Sequence, residues 1–275
     1  MIRSLYSGAL GMKNHQIRMD VISNNIANVN TTGFKSSRAN FEEVLVQTLR
    51  SPSGPSDDGG LGSINPSQVG TGVGLASIDM DMGQGAMQST GRSLDLAIEG
   101  NGFFQVTDGT NTFYTRNGVF YIDTEGYLVD GNGYRLSDGE GGGDNPGEVI
   151  QLVDDEETVV GTINIAADGT ITAFDTDGVD LDVYQKIGLY SFVNQEGLAR
   201  AGHNYYQQTE ASGEAKSIDA VGTTSKINSK YLEMSNVDLT DEFVNMITTQ
   251  RGYQANGRAI TTSDQMLLEL LDIKR

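Results

Sequence analysis

The sequence predicts an α+β chain. The N- and C-terminal ends form long helices that pair as an α-helical coiled-coil domain, and the middle forms an all-β antiparallel domain. Three observations predict this. Apolar residues recur at spacings of three and four at both ends. The apolar period drops to two between them. Asp-Gly and Asn-Gly steps punctuate that middle region.

At the N-terminus, Ile2, Leu5, Ala9, Met12, Gln16 and Met19 make a narrow stripe that Gln16 interrupts. Ile22, Ile26 and Val29 resume it after a one-step phase shift. The helix is expected to end near Val29, because Asn30-Thr31-Thr32-Gly33 supplies turn residues and a glycine able to take positive φ. At the C-terminus, Leu239, Phe243, Met246, Gln250, Tyr253, Gly257, Ile260, Asp264, Leu267 and Leu271 keep the spacing without a break. Asp238 suits the N-cap, and Asp241 and Glu242 suit the positive end of the helix dipole.

The C-terminal stripe has a regular flaw. Gln250, Gly257 and Asp264 recur every seven residues, where an isolated dimer prefers apolar side chains. Two readings stay open. Either the helices form an intramolecular hairpin packed on the body, or they pack together and also against copies of themselves. The second reading places Ile2, Leu5, Met12, Met19, Leu239, Phe243, Met246, Gln250, Tyr253, Ile260, Leu267 and Leu271 at subunit contacts.

In the middle, Leu94, Leu96 and Ile98 alternate with polar or small residues. The runs FFQV, TFYTR, VFYI, YLV, YRL, TINI, ITAF and IGLYSFV follow, separated by Asn-Gly and Asp-Gly steps read as hairpin turns. Residues 51–74, rich in Gly, Ser and Pro, read as a linker or extended arm, and 139–148 as a surface loop. The expected division is therefore 1–45 with 232–275, an arm over 46–74, and a β domain over 75–231.

The net charge of −19 makes nucleic acid and anionic membranes poor partners. Residues 1–50 carry a net +3 and residues 231–275 a net −3, so the excess lies in the middle. Ends that pack together beneath an acidic, solvated body fit this split. A merely soluble middle domain fits it too. No apolar run is long enough for a transmembrane helix, and MIRSLYSGALGMKNHQ lacks the h-region of a cleaved signal peptide. With no Cys, neither a disulfide nor a catalytic thiol is available.

Catalytic sets are not found, so no enzyme, cofactor or metal is expected. His15 reads as a solvent or interface residue and His203 as a loop residue. The acidic stretch Asp175–Asp182 fails the EF-hand pattern, because Val179 and Asp180 stand where an oxygen ligand and Gly are required. It reads as an acidic turn, as VDDEET at 153–158 reads as a solvated edge.

Three stretches, in order, carry a family resemblance: SNNIANVNTTGFKSSRANFEEV at 23–44, QSTGRSLDLAIEGNGFFQV at 88–106, and YLEMSNVDLTDEFVNMITTQRGYQANGRAITTSDQMLLELL at 231–271. The chain resembles the bacterial flagellar axial proteins of the rod and hook. The resemblance implies a structural subunit that self-assembles helically into a hollow tube. It implies export through the flagellar type III apparatus without a cleaved signal, and location in the hook or basal body outside the cell. It also implies the rod, hook, hook–filament junction and hook cap proteins as neighbours. Asn24, Asn25 and Asn28 are then expected to pair with neighbouring subunits or to line a wet channel. Within the family, STGRSLDLAI, MSNVDLTDEFVNMI and the ending LLDIKR look like hook subunits, whereas QTLRSPSGPS and QVGTGV resemble the distal rod. The expectation is the hook, a flexible joint whose Gly-rich acidic outer domain lets neighbours slide. The distal rod, a stiff drive shaft, is the alternative, and a secreted acidic β-domain adhesin is a remote one.

Overall fold

The computed structural model describes residues 2–54, 63–138, 147–152, 160–175, 185–218 and 225–273. The loops read from sequence at 153–158 and beyond Asp175, most of 139–148, and the centre of the 51–74 arm lie outside these residues. Two long helices flank a middle of antiparallel strands, and the chain divides into two compact units.

The first unit holds 1–27, 37–80 and 238–275. Helix α1 spans Ile2–Ala27 and helix α2 spans Leu239–Ile273, its 35 residues making a rod of roughly 50 Å. Asp238 caps α2 as its sequence position suggests: its Oδ1 accepts from the Thr240 N–H at 2.7 Å. Strands β1 (Ser37–Glu43) and β4 (Val73–Met80) pair antiparallel, as do β2 (Val46–Arg50) and β3 (Ser67–Gly70). Within the stretch read as an arm, 46–50 and 67–70 thus form a hairpin.

The second unit holds 28–36 and 81–237. Strands β5 (Met87–Ser89), β6 (Leu96–Gly100), β7 (Phe103–Thr107), β8 (Thr112–Thr115), β9 (Phe120–Ile122), β10 (Leu128–Asp130) and β11 (Arg135–Leu136) come first. They are followed by β12 (Val160–Ile165), β13 (Ile171–Asp175), β14 (Leu189–Ser191), β15 (Ala199–Gly202), β16 (Tyr205–Gln207), β17 (Lys216–Ile218), β18 (Ser225–Ser229) and β19 (Tyr231–Glu233). Nine of them form one sheet, in the order β15-β16-β8-β7-β11-β10-β9 with β14 and β17 branching from β7. All strand pairings among the described residues are antiparallel.

Strand β7 is the centre of this unit and is buried on both faces. Phe104 and Val106 join Leu96, Ile98, Phe120, Leu128, Leu136 and Ile227 in the main core. On the opposite face Phe103 packs edge-on against Phe192 and Tyr206, with ring centroids 5.9 and 5.7 Å away.

The Asp-Gly steps at 108, 130 and 168 do close hairpins, joining β7 to β8, β10 to β11 and β12 to β13. The Asn-Gly steps at 101 and 117 do not. Strand β6, paired with β18, runs into Asn101-Gly102, and β9, paired with β10, follows Asn117-Gly118. Both steps are corners at which the chain changes partners. At the second, a Cβ on Gly118 would lie 1.6 Å from the Leu96 carbonyl oxygen, so the glycine is required by close approach rather than by a hairpin.

The 130–133 turn is tied down by Tyr205. Its phenol donates to Asp130 Oδ2 at 2.6 Å and accepts from Asn132 Nδ2 at 2.8 Å. Burial, and then the bond to Asp130, raise the phenol above its ordinary pKa of 10.0. Above pH 10 the unfolded chain releases this proton while the folded chain keeps it, so stability falls as pH rises. Tyr205→Phe is expected to cost about 1–3 kcal/mol at neutral pH and to shrink the loss between neutral pH and pH 11, both read by urea unfolding.

Candidate functional site

Because the sequence shows no catalytic set, the surfaces that pack are the place to look for function, and the helices of the first unit come first. Helices α1 and α2 run antiparallel in constant register. Ser4 Oγ lies 3.2 Å from Ser263 Oγ, Arg18 Nη2 donates to Asn245 Oδ1 at 3.2 Å, and Asn25 Nδ2 donates to Glu242 Oε1 at 2.8 Å. Between these pairs, small residues let the helices close up. A Cβ on Gly11 would lie 2.6 Å from Asn256 Nδ2, and one on Gly252 would lie 2.7 Å from the His15 ring. Thr249 and Ser263 are buried in the same seam, and their hydroxyls bond back to the carbonyls of Asn245 and Ala259.

This seam is not the apolar stripe. On α1 it runs through Ser4, Gly8, Gly11, His15, Arg18 and Asn25, and on α2 through Glu242, Asn245, Thr249, Gly252, Asn256 and Ser263. At about 100° per residue, the α2 stripe lies roughly a quarter turn away. Leu239, Phe243, Tyr253 and Leu271 are consequently exposed, as are Val244, Ile247, Leu268 and Ile273. Phe243 is 50% exposed and Leu271 64%. Gln250 is exposed too, while Met246, Ile260 and Leu267 on α2, and Leu5, Met12 and Met19 on α1, are half-buried. Ile2 opens α1, and its side-chain surroundings lie outside the described residues.

The three amides differ. Asn25 is buried and its bonds are internal: Nδ2 donates to the Ser37 carbonyl at 2.8 Å, and Oδ1 accepts from the Ser37 N–H at 3.0 Å. It fastens the start of β1 to α1 while also reaching Glu242. Asn28 Oδ1 accepts from Thr31 Oγ1 at 3.1 Å, within the turn that ends the helix. Asn24 is exposed. Asn14, which sequence reading did not single out, donates to the Val73 carbonyl at 2.6 Å and holds β4. His15 lies against Gly252, and burial, then Arg18, lower its pKa. His203 sits in the β15–β16 turn at φ 50°.

The second unit contains an ion cluster that the sequence did not announce. Lys35 Nζ lies 2.6 Å from Glu233 Oε1, and Arg116 Nη1 lies 3.1 Å from Glu233 Oε2. All three side chains are at most 1% exposed. Lys35 also donates to the Gly83 carbonyl at 2.9 Å, and Arg116 to the Gly100 carbonyl at 2.9 Å. The Gly85 N–H donates to Glu233 Oε1 at 3.0 Å. Burial pulls both Lys35 and Arg116 below their ordinary pKa values, and Glu233 opposes that.

Around the cluster the segments 33–36, 81–86 and 233–236 are stitched together. The Gly33 N–H donates to the Glu233 carbonyl, the Asp81 N–H to that of Ser36, and the Met234 N–H to that of Ala86. Asn236 Oδ1 accepts from the Ser36 N–H at 2.8 Å. Gly33 takes φ 67°, and a Cβ there would lie 2.7 Å from the Asn117 nitrogen, which explains the glycine after Thr31-Thr32. Nothing in the apolar period separates these three charges from solvated ones.

Comparison with known proteins agrees with the arrangement. Residues 5–35 match the family described as flagella basal body rod protein, and 97–173 that described as flagellar hook protein FlgE/F/G D1 domain. Residues 228–273 match flagellar basal body rod FlgEFG protein C-terminal. The flagellar basal-body rod protein FlgG of Bacillus subtilis (strain 168) is 44% identical over 277 residues, covering all of both chains. That of Borreliella burgdorferi is 37% identical over 279 residues, again covering all of both. The flagellar hook protein FlgE of the same organism is 31% identical over an alignment of 445 residues that likewise covers all of both chains.

Two outcomes follow from this geometry. Gly252→Val is expected to destabilise the helix pair by about 1–3 kcal/mol, read as an earlier melt of the helical circular dichroism signal, while Gln250→Ala changes it by less than about 0.5 kcal/mol. Asn25→Ala, which leaves both backbone groups of Ser37 without their side-chain partner, is expected to cost about 1–3 kcal/mol in urea unfolding.

Proposed function

The chain belongs to the flagellar basal-body rod and hook protein family, a family of structural rather than enzymatic proteins, and on that premise we propose that it is a subunit of the distal rod. One observation carries the choice between rod and hook. The Bacillus subtilis rod relative aligns over 277 residues, close to this chain's 275, whereas the alignment with the hook relative spreads over 445. This favours the distal rod, the alternative in the sequence reading, over the hook expected there. MSNVDLTDEFVNMI, on which that expectation leaned, lies within 228–273, a region whose family description names FlgEFG together and so does not separate them.

The proposed mechanism is assembly through the outward face of the helices. Phe243, Ile247, Leu268 and Leu271 are between 50% and 64% exposed, so burying the remainder on copies contributes about 1–2 kcal/mol each. Association costs about 4–15 kcal/mol, so one such contact holds two subunits weakly, and a lattice that repeats it on several sides holds firmly. Identical subunits joined head to tail through two different surfaces generate an open helical array when the rotation between them does not close a ring. Copies of this chain are the principal partner, adjoining rod and hook proteins are the axial neighbours, and the export apparatus delivers the subunit to the basal body.

The test is an antibody against the second unit, applied to isolated hook–basal bodies and viewed by electron microscopy. Label on the straight shaft is the expected result, and label along the curved segment restores the hook. Separately, Phe243→Asp with Ile247→Asp is expected to abolish motility and polymerisation while shifting the monomer's stability by less than about 0.5 kcal/mol, because both sites are exposed.

A further inference from the structure

The ion cluster joins residues far apart in the chain: Lys35 just after α1, Arg116 after β8, and Glu233 shortly before α2. Glu233 is the carboxylate that both cations share. Each cation also donates to a backbone carbonyl, Lys35 to that of Gly83 and Arg116 to that of Gly100, and Arg116 Nε is buried without a hydrogen-bond partner among the described residues. The same C-terminal segment supplies more. Strand β18 is the only strand partner of β6, and β19 the only strand partner of β5, among the described residues. Ile227 of β18 is a fully packed member of the core.

We infer that Glu233 is a latch on folding: the second unit closes only when residues 225–237 dock, because Lys35 and Arg116 cannot be buried without its carboxylate. Without Glu233, Lys35 keeps only the weaker attraction of Asp81, and two buried cations left without a paired carboxylate oppose closure by an amount comparable with a domain's net stability. The chain is made from its N-terminus, so everything up to β17 exists before the latch does. The second unit therefore stays open until residues 225–237 have been made. This inference stands whether the chain serves the rod or the hook.

Pulsed hydrogen exchange during refolding of the full chain from urea tests it. The amides of β7 and β8 are expected to gain protection in the same phase as those of β18 and β19. Protection of β7 and β8 in an earlier phase overturns the proposal. A charge-free variant, Lys35→Met with Arg116→Met and Glu233→Leu, isolates the cause. In it β7 and β8 are expected to gain protection first, and a single phase in both chains rules out the charge as the latch. At equilibrium, Glu233→Gln alone is expected to lower protection of β7 and β8 by roughly 100-fold or more, and protection equal to the native chain's contradicts the latch.

Discussion

Where Gly11 of α1 meets Asn256 and Gly252 of α2 meets His15, a methyl group on either glycine would press into the facing side chain, so α1 and α2 hold this spacing only while both positions are glycine or those side chains move. That approach decides what the helices can offer to anything else. A seam lined by glycine, serine, threonine and asparagine consumes little apolar surface, so the Phe243, Ile247, Leu268 and Leu271 face stays in water. An isolated monomer gains nothing from such an arrangement. A subunit that must meet copies of itself gains an apolar surface already shaped by a rigid pair, with register fixed inside the chain by Asn25, Arg18 and Ser4. Hydrogen bonds suit that task because they are directional, whereas an apolar seam tolerates slippage by a turn.

The second unit solves a different problem. It receives the chain from α1 and returns it to α2 through neighbouring segments, 28–36 and 233–237. Backbone bonds stitch those segments, and three buried charges pin them. A buried carboxylate shared by two cations adds little net stability compared with a well-packed apolar cluster. Its effect is conditional: with all three present the cluster is tolerated, and with the carboxylate missing it is not. The cluster therefore makes one fold depend on residues that are distant in sequence.

How much of this was legible in the sequence follows from what kind of signal each feature leaves. The long helices and the antiparallel middle were legible, because period and turn chemistry are local. The Asp-Gly steps were read correctly where the strands beside them are partners, as at Asp108-Gly109. Asn101-Gly102 and Asn117-Gly118 misled because a corner between sheets and a hairpin demand the same residue type. The helix seam was hidden by the apolar stripe beside it, although Ser4, Gly8, Gly11 and His15 do recur at spacings of four, three and four. Asn25 was singled out, but the structure gives it internal partners. Lys35, Arg116 and Glu233 left no local trace, since nothing short of the fold brings residues 35, 116 and 233 together.

The central claim is that the outward face of α2 is covered by copies of the chain. Because the chain has no Cys, single cysteines report on it cleanly. Ile247→Cys and Leu271→Cys variants, with Thr110→Cys in the exposed β7–β8 turn as reference, can be labelled with a maleimide as monomer and as polymer. The account predicts that labelling at 247 and 271 slows at least tenfold on polymerisation relative to 110, about 1.4 kcal/mol of protection at each site. Equal rates in monomer and polymer at both helix positions would contradict it.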